Sequence, residues 1–338
     1  MAYGDHAMGY GHVVRSLALA NGFKKRDRSS KVFFLTRPDR NTETMLRREN
    51  VSFRKIKAGE EHRKIPKLLD RLKPDVTVVD RLRTDRAWME KVRRRTRCLV
   101  TLDNVGSGRF LADLVVNILY RAKMPKSFPG ILWGDPEYLV LRPEFAKARK
   151  QKKNVLLKKR ESVLIAQGGS DTFGMTPRIL KALLPLPETV RLLILLGPGY
   201  RHHRQLERVV KDAGRPVTVF QSVRRMTSFL KRVDFAVTGA GILLYELACL
   251  GIPSAVITGE PRELETAGRC ERLGFTRSLG LGQALSKDSI LSEVQKLIFS
   301  RDLRKKMGQA GRRQVDGRGS ERIVDWILRQ PRREPCAS

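Results

Sequence analysis

The 338-residue chain is poor in cysteine and acidic residues, and it lacks the long apolar stretches of membrane proteins. Its four cysteines are Cys98, Cys249, Cys270 and Cys336, and none is paired at a spacing typical of zinc or redox motifs. They indicate free thiols in a reducing compartment. No apolar run reaches the roughly 18 residues of a membrane-spanning helix, and Met1–His12 does not resemble a signal peptide. The sequence therefore predicts a cytoplasmic protein.

Several catalytic signatures are also missing. The chain contains no HExxH, GxSxG or GxxxxGK[ST] pattern, which excludes the zinc proteases, serine hydrolases and P-loop enzymes that carry them. No pair of carboxylates has the spacing of an obvious metal clamp. The predicted site contains no metal ligands, and no cofactor is predicted for it.

The shortage of acidic residues gives the chain a large positive charge. It has 68 Lys and Arg against 35 Asp and Glu, a formal net charge of +33, and such a field favours anionic partners. The basic residues are spread along the chain, with clusters at Lys24–Arg28, Lys91–Arg97 and Lys147–Lys159. This spread favours a basic, solvated surface, with peripheral contact to an anionic membrane as an alternative. Specific nucleic-acid binding is not expected, because no zinc-finger, RNP or basic-zipper signature is present.

Short apolar runs alternate with amphipathic stretches, which is typical of βα units around a parallel sheet. A basic stretch, 149–160, is the predicted linker between an N-terminal domain, 1–148, and a C-terminal domain, 161–330, with a disordered tail at 331–338. The strands predicted in the first domain are Lys31–Thr36, Asp75–Asp80, Cys98–Asp103 and Leu114–Ile118. Those predicted in the second are Ser162–Gln167, Arg191–Leu196, Val217–Phe220, Phe235–Thr238 and Ser254–Ile257.

The start of the chain departs from this pattern. A Rossmann-like half normally opens with an apolar strand that leads into its first glycine loop, but Met1–Met8 holds no such strand. Either the recorded start has lost residues or the fold lacks this strand. We favour a truncated start and expect the first strand to be missing from the N-terminal domain.

The first motif that carries chemistry runs from Gly9 to Arg15. Gly9 and Gly11 let the backbone turn sharply beside a ligand, and the following helix directs its amides and positive dipole end towards it. His12 is the predicted general base, since imidazole titrates near neutral pH, and Arg15 is a predicted binding residue. The alternative is an ordinary strand-to-helix turn.

A second glycine loop opens the other half of the chain. Gly168 and Gly169 follow an apolar strand and present backbone N–H groups to a phosphate. Ser170 adds a hydroxyl donor, while Asp171 either joins this site or caps the next helix. An ordinary βα turn is the alternative.

A third loop, with its residues Gly239, Ala240 and Gly241, leaves room for a diphosphate at a helix N-terminus. Glu246 lies one turn into that helix, where a carboxylate can accept hydrogen bonds from a ribose diol; a solvent-facing position is the alternative. Asp80 ends a strand, where open α/β sheets place ligand-binding groups, or else it caps a helix.

Together these segments resemble the family of the pseudaminic acid UDP-sugar hydrolase PseG and the spore-coat polysaccharide protein SpsG, which are relatives of MurG-type glycosyltransferases. The LRPEF segment at Leu141–Phe145 and the VDGRG segment at Val315–Gly319 are the most specific matches, because neither is a general nucleotide-binding pattern. The other matching pieces are Gly9–Arg15, Val78–Asp80, Asp103, Ala112-Asp113, Asn117, Tyr138–Val140, Gln167–Asp171, Gly239–Glu246, Leu250–Pro253 and Arg322.

The resemblance implies the GT-B architecture, in which two Rossmann-like domains face a central cleft, and metal-independent chemistry. UDP would bind mainly to the C-terminal half, and His12 matches the histidine that activates water in the hydrolase. The chain departs from the family at Glu260-Pro261, where an Asn-Gln pair is usual, at Ile242–Leu244, which offers no hydroxyl, and at Arg81-Leu82, where His-Tyr is usual.

The predicted function is hydrolysis of a UDP-activated amino-deoxy sugar, releasing the sugar and UDP, in surface polysaccharide or nonulosonic acid biosynthesis. One alternative is a glycosyltransferase that moves the sugar of a UDP-sugar to a polysaccharide or lipid acceptor. The other is a non-catalytic protein that binds a nucleotide sugar, which the departures motivate. The expected partner is a UDP-sugar, and the sequence leaves the oligomeric state open.

Overall fold

The computed structural model describes residues 1–2, 10–120, 124–151, 161–221, 223 and 225–331. Contacts divide the chain into two compact units. Unit 1 combines Met1–Pro143 with the segment that begins at Arg318, and unit 2 is Glu144–Gly317. Residues 152–160 of the predicted linker and 332–338 of the predicted tail lie outside the described residues.

Unit 1 is built from short parallel strands and the helices that connect them. Its strands are β1 (Phe33–Thr36), β2 (Ser52–Lys55), β3 (Val76–Asp80), β4 (Cys98–Leu102), β5 (Leu114–Val116) and β6 (Ile131–Trp133). Its helices are α1 (Gly11–Arg26), α2 (Arg40–Arg48), α3 (Glu61–Leu72), α4 (Arg86–Arg93) and, from the end of the chain, α13 (Gly319–Arg329). The strands form a pair, β1-β2, and a four-stranded sheet, β3-β4-β5-β6.

The first residues of the chain lie between these two sheets. Ala2 forms an isolated parallel bridge with Asp80, and its N–H donates to the Leu35 carbonyl at 3.2 Å. Met1 and Ala2 thus hold the place of a first strand, in the order β2, β1, Met1–Ala2, β3, β4, β5, β6.

Unit 2 is a complete doubly wound sheet. Its six parallel strands are β7 (Glu161–Ala166), β8 (Val190–Leu196), β9 (Val217–Gln221), β10 (Phe235–Thr238), β11 (Ser254–Thr258) and β12 (Thr276–Leu281). They lie in the order β12-β11-β10-β7-β8-β9. Strands β8 and β9 follow β7 towards one edge of the sheet, and β10, β11 and β12 follow one another from β7 towards the other edge. This is the strand order of the dinucleotide-binding Rossmann fold.

The helices of unit 2 cover both faces of this sheet. They are α5 (Pro143–Ala148), α6 (Met175–Leu183), α7 (His203–Lys211), α8 (Met226–Leu230), α9 (Ile242–Leu250), α10 (Glu263–Arg272), α11 (Lys287–Phe299) and α12 (Arg301–Gln314). Helix α9 is apolar almost throughout and buries Leu244–Cys249, as expected of a helix enclosed on all sides. No helix in the described residues has both the length and the apolarity needed to cross a membrane.

The unit boundaries differ from the predicted domain limits of 148 and 330. The cause is α13, which packs on α1 within unit 1: Val324 lies against Gly22, and Arg26 pairs with Asp325 at 2.8 Å. Unit 1 is therefore assembled from both ends of the chain, and unit 2 is one continuous stretch.

The two most specific family segments coincide with the places where the chain passes between the units. Within unit 1, Gly319 touches the backbone of Leu139, and a Cβ there would clash with the Leu139 carbonyl. Within unit 2, Gly317 has a φ of +78° and lies against Ala146. Glycine is required at both positions by close backbone approach, and at Gly317 also by the left-handed conformation.

The predicted strands are all present, and three further strands were missed. These are β2, β6 and β12, each of which lies at the edge of its sheet. An edge strand is half-exposed and tolerates charge, as at Arg54 and Lys55 in β2 and Arg277 in β12. The apolar run that identifies a buried strand is therefore absent from β2 and β12, whereas β6 is apolar but only three residues long.

Candidate active site

A buried ionic cluster lies at the carboxyl ends of β3 and β4 in unit 1. Asp80 ends β3, Asp103 follows β4, and α1 contributes His12 and Arg15. Asp80 is fully buried and Arg15 is 3% exposed. Charged groups are rarely buried unless they are paired, so we expect the charged side chains of this cluster to bind one another.

His12 is held through one ring nitrogen. Its Nδ1 lies 2.6 Å from Oδ1 of Asp80, and two acceptors at that separation require a proton between them. The same Nδ1 also lies 2.9 Å from Nη2 of Arg15. In the tautomer in which Nδ1 donates to Asp80, Nε2 is the basic nitrogen of the ring. The His12 side chain is 13% exposed. A carboxylate that fixes the tautomer of a partly exposed histidine is the usual arrangement for a general base.

Arg15 joins the two carboxylates of the cluster. Its Nε donates to Asp80 Oδ2 at 2.6 Å, Nη2 donates to Asp80 Oδ1, and Nη1 donates to Asp103 Oδ2. Ser16 adds a hydroxyl donor to Asp80 at 3.1 Å. The guanidinium, predicted from the sequence as a ligand-binding group, thus directs its donors into the protein.

The cluster stays ionised because its charges compensate one another. Burial raises the pKa of Asp80, but the charge of Arg15 and the hydrogen bonds with Arg15 and His12 outweigh it and lower that pKa well below its usual range. Burial likewise lowers the pKa of Arg15, yet Asp80 and Asp103 outweigh it and raise that pKa above its ordinary value. Both effects are expected for opposite charges that share a buried site.

Asp103 is itself fixed by the backbone that follows β5. Its Oδ1 accepts the N–H groups of Ile118 at 2.7 Å and Leu119 at 2.8 Å, and its φ is +45°. The neighbouring Asn117 side chain donates to the Asn104 carbonyl at 2.9 Å. Asp103 and Asn117, two positions at which the sequence resembles the family, thus stabilise the carboxyl edge of the sheet beside the His12 cluster.

The glycine loops of unit 2 meet where its sheet changes direction. One follows β7 and contains Gly168 and Gly169, and the other follows β10 and contains Gly239 to Gly241. Strands β7 and β10 are parallel neighbours, with Ala166 opposite Thr238. Ligands of open α/β sheets bind in the crevice outside the carboxyl ends of the strands at this switch point.

Each loop has one glycine with open space beside it. Gly168 has a φ of +78°, and a Cβ there or at Gly241 would meet no atom within 4 Å. Gly241 also caps α9 without a side-chain cap, so the first N–H groups of this helix are available to an anion. Ala240, between the two glycines of the second loop, is 4% exposed.

Two polar atoms at this crevice are buried and have no hydrogen-bond partner among the described residues: Nε2 of Gln167 and Oγ1 of Thr238. The Gln167 side chain lies beside Gly239. Buried polar groups normally have partners, so these two mark places where a ligand would supply one. Sequence reasoning missed both, although each ends a predicted strand.

Ser170 and Asp171 mainly serve the loop and helix that they precede. The Asp171 carboxylate accepts the N–H groups of Met175 and Thr176, both at 2.8 Å, and the Ser170 hydroxyl lies 3.1 Å from that of Thr172. Asp171 has a φ of +43°, a conformation that Asp tolerates better than most residues. The capping alternative therefore describes Asp171.

We expect Asp171→Ala to lower the free energy of unfolding by about 1–2 kcal/mol, because two N–H groups of α6 lose their acceptor. Asp171→Asn keeps one acceptor oxygen and should lose less. Urea denaturation of the three proteins measures the difference. Equal midpoints for all three would remove Asp171 as the stabiliser of α6.

Glu246 lies in the enclosed helix α9 and is 5% exposed, which rules out the solvent-facing alternative. It is five residues into the helix that Gly241 caps. A carboxylate in the second turn of a helix that begins at this crevice suits the hydroxyl groups of a ribose. Gly9, also predicted as a binding residue, lies outside the described residues, while Gly11 begins α1. In the described part of the chain no group of three or more His, Cys, Asp or Glu residues is arranged to hold a metal ion.

Comparisons with known proteins agree with this fold. No family model matches the chain. It is 26% identical over 330 residues to the spore coat polysaccharide biosynthesis protein SpsG of Bacillus subtilis, an alignment that covers 96% of the chain and 95% of that protein. The resemblance to SpsG predicted from the motifs is thereby confirmed.

Solved structures place the chain in the same fold class. MurG of Acinetobacter baumannii superposes with a TM-score of 0.67 at 16% identity, over 95% of this chain and 96% of that one. UDP-GlcNAc 2-epimerase from Neisseria meningitidis, solved bound to UDP-GlcNAc, gives 0.66 at 13% identity, over 97% and 98%. The predicted α/β class with two Rossmann-like units of GT-B type is confirmed.

Proposed function

We propose that the protein hydrolyses a UDP-activated amino-deoxy sugar, releasing the sugar and UDP, in surface polysaccharide or nonulosonic acid biosynthesis. The observation that carries this proposal is the His12–Asp80 pair, in which a buried carboxylate lies 2.6 Å from Nδ1 of a partly exposed imidazole. The likeness to SpsG, a spore coat polysaccharide biosynthesis protein, supports the pathway class. A structural neighbour that binds UDP-GlcNAc supports the substrate class.

In this proposal unit 2 binds the nucleotide at its switch point. The diphosphate lies on the exposed amides of the loops at Gly168-Gly169 and Gly239–Gly241, at the N-terminus of α9. Glu246 accepts hydrogen bonds from the ribose hydroxyls. The unpartnered amide of Gln167 provides one further donor to the bound nucleotide.

Unit 1 supplies the base. Nε2 of His12 takes a proton from water while the water oxygen bonds to the anomeric carbon, and the bond from that carbon to the diphosphate oxygen breaks as UDP leaves. Asp80 accepts the hydrogen bond that the Nδ1–H donates and stabilises the imidazolium that forms. Arg15 keeps Asp80 ionised, so we assign Arg15 and Asp80 as positioning residues for His12.

Glycosyl transfer is the second candidate, since the same nitrogen can accept the proton of an acceptor hydroxyl, and the fold is shared with MurG. Incubation of the protein with a panel of UDP-amino sugars, without acceptor, separates the two. Equimolar free sugar and UDP support hydrolysis. Turnover that begins only when a polysaccharide or lipid acceptor is added supports transfer. Tight UDP binding with no turnover under either condition overturns the enzyme proposal and supports a non-catalytic binder.

We expect Glu246→Ala to weaken UDP binding by about 1.5–3 kcal/mol, because hydrogen bonds to a charged acceptor are lost. Isothermal titration calorimetry of UDP measures this. The control is Glu207→Ala, at an exposed glutamate of α7 in the same unit, which should bind UDP as the parent does. If both variants bind UDP with the parental affinity, Glu246 is not part of the nucleotide site.

A further inference from the structure

An aromatic side chain is exposed on the loop that joins β7 to α6 in unit 2. Phe173 is 43% exposed, although the turn that carries it is well held. The Asp171 carboxylate accepts two N–H groups of α6, and the Gly174 N–H donates to the Asp171 carbonyl at 2.9 Å. The ring is therefore exposed from a fixed turn.

The ring of Phe173 reaches the loop that follows β11. A Cβ added to Gly259 would lie 2.4 Å from Cδ2 of Phe173, with Cε2 and Cγ within 3.2 Å, so only glycine allows the ring to approach the backbone this closely. The Gly259 N–H in turn donates to the Glu263 carboxylate at 2.8 Å. Both the ring and the backbone that it contacts are thus held in place.

This contact crosses the carboxyl end of β10. The sheet order places β10 between β7 and β11, and neighbouring strands are about 4.8 Å apart. The β7–α6 loop and the Phe173 ring together therefore span roughly 10 Å along this edge of the sheet. The loop Gly239–Gly241 begins at the same strand end, so the ring borders the crevice in which the diphosphate is proposed to bind.

Helices α6 and α9 lie on opposite faces of the sheet. Right-handed crossovers require this, because α6 leads from β7 towards the β9 edge, whereas α9 leads from β10 towards the β12 edge. Glu246 of α9, the ribose ligand of the proposed function, and Phe173 before α6 thus flank the crevice from opposite sides. A diphosphate between them directs its nucleoside towards Glu246 and its sugar towards Phe173.

The surroundings of Phe173 suit the apolar side of a sugar. A pyranose ring presents C–H groups on its faces, and an aromatic ring attracts them by dispersion and by the negative charge of its π face. The carboxylates of the neighbouring loop bind groups of that same loop: Glu260 accepts from Nε of Arg262, and Glu263 accepts from the Gly259 N–H. The ring is the exposed apolar part of this wall.

We propose that Phe173 is a sugar-binding residue, whose ring packs against the C–H face of the substrate's sugar. This inference rests on the proposed function, since it takes the ligand to be a UDP-sugar. It adds to that function the contact by which unit 2 distinguishes a UDP-sugar from UDP alone. The contact also holds the anomeric carbon in one orientation beside the loop Gly239–Gly241.

The test compares the binding of UDP-N-acetylglucosamine and of UDP by calorimetry, in the His12→Ala background so that the sugar nucleotide stays intact. Phe173→Ala should weaken binding of UDP-N-acetylglucosamine by about tenfold and leave UDP binding unchanged. Phe173→Tyr should keep most of the affinity, because the ring is retained. The matched control is Phe299→Ala, at a 60% exposed phenylalanine of α11 in the same unit, which should change neither affinity.

A second substitution tests the same contact from the other loop. Gly259→Ala places a methyl group against the ring, so Phe173 must move, and the affinity for UDP-N-acetylglucosamine should fall as it does in Phe173→Ala. Combining Gly259→Ala with Phe173→Ala should cause no further loss, because residues in contact are not additive.

Three outcomes would overturn the inference. Unchanged binding of UDP-N-acetylglucosamine after Phe173→Ala would remove the contact. Equal weakening of UDP and UDP-N-acetylglucosamine would assign the ring to the nucleotide. Failure of the parent protein to bind UDP would remove the proposed nucleotide site and this inference with it, whereas the first two results leave that site in place. None of the three depends on turnover.

Discussion

His12→Ala should lower turnover of the UDP-sugar by about 10²–10⁴-fold, the usual contribution of a general base. UDP affinity should change little, because the proposed nucleotide contacts lie in unit 2 and His12 lies in unit 1. Steady-state kinetics with UDP release as the signal, together with calorimetry of UDP binding, measures both quantities. The expected loss falls on kcat, since the base acts only in the chemical step.

The matched control for this variant is His62→Ala. His62 lies in the same unit, is 59% exposed and contacts Asp85 at 3.3 Å, so its loss should leave kcat unchanged. A His12→Ala protein with parental turnover would remove this residue as the base. A loss of the same size in both variants would point to general damage to unit 1.

The second large effect is expected at Asp80. Asp80→Asn should lower the free energy of unfolding by about 3–5 kcal/mol, the usual result of removing one partner of a buried ion pair. Arg15 would keep Asp103 as its only carboxylate in the cluster. His12 would face an amide, which can donate to Nδ1 as well as accept from it, in place of a carboxylate. Guanidinium denaturation measures the change, and kcat should fall with it because the His12 tautomer is no longer fixed.

An exposed ion pair in the same unit provides the control. Glu90 contacts Arg86 at 3.0 Å, and the two side chains are 44% and 61% exposed. Glu90→Gln should change the unfolding free energy by less than about 0.5 kcal/mol. Similar losses in Asp80→Asn and Glu90→Gln would contradict a stabilising role for the buried cluster.

The pH dependence of stability provides a separate test of Asp80. Its pKa is lower in the folded protein than in the unfolded chain, so its contribution is fully present above about pH 4, the usual aspartate pKa. It is lost as the pH falls further, because the unfolded state then binds more protons. The stability difference between the parent and Asp80→Asn should therefore shrink below about pH 4. A difference that stays constant down to pH 2 would argue against this linkage.

The architecture was predictable from the sequence because buried parallel strands are apolar on both faces. The run Val163–Ala166 and the run Phe235–Thr238 show this, and each is followed by a glycine loop. From two such junctions the Rossmann-like character of unit 2 follows directly. The association of α13 with unit 1 did not follow, since an amphipathic helix carries no information about which sheet it covers.

The partners of the site residues were less accessible to sequence reasoning. Arg15 and Asp103 are 88 positions apart, and no local pattern links an arginine in one helix to a carboxylate after a distant strand. Asp171 shows the same limit at short range, because capping and phosphate binding favour the same residue at the same place. Only the positions of the Met175 and Thr176 amides distinguish the two roles for this carboxylate.

The construction of unit 1 from both chain ends determines what a premature stop codon would do. Termination just after Gly317 leaves every strand and helix of unit 2 encoded, yet it deletes the helix against which Gly22 of α1 packs. We therefore expect such a truncated protein to be damaged first around α1, which carries His12 near its other end. Loss of the C-terminal helix α13 would therefore perturb His12, which lies near the N-terminal end of the chain.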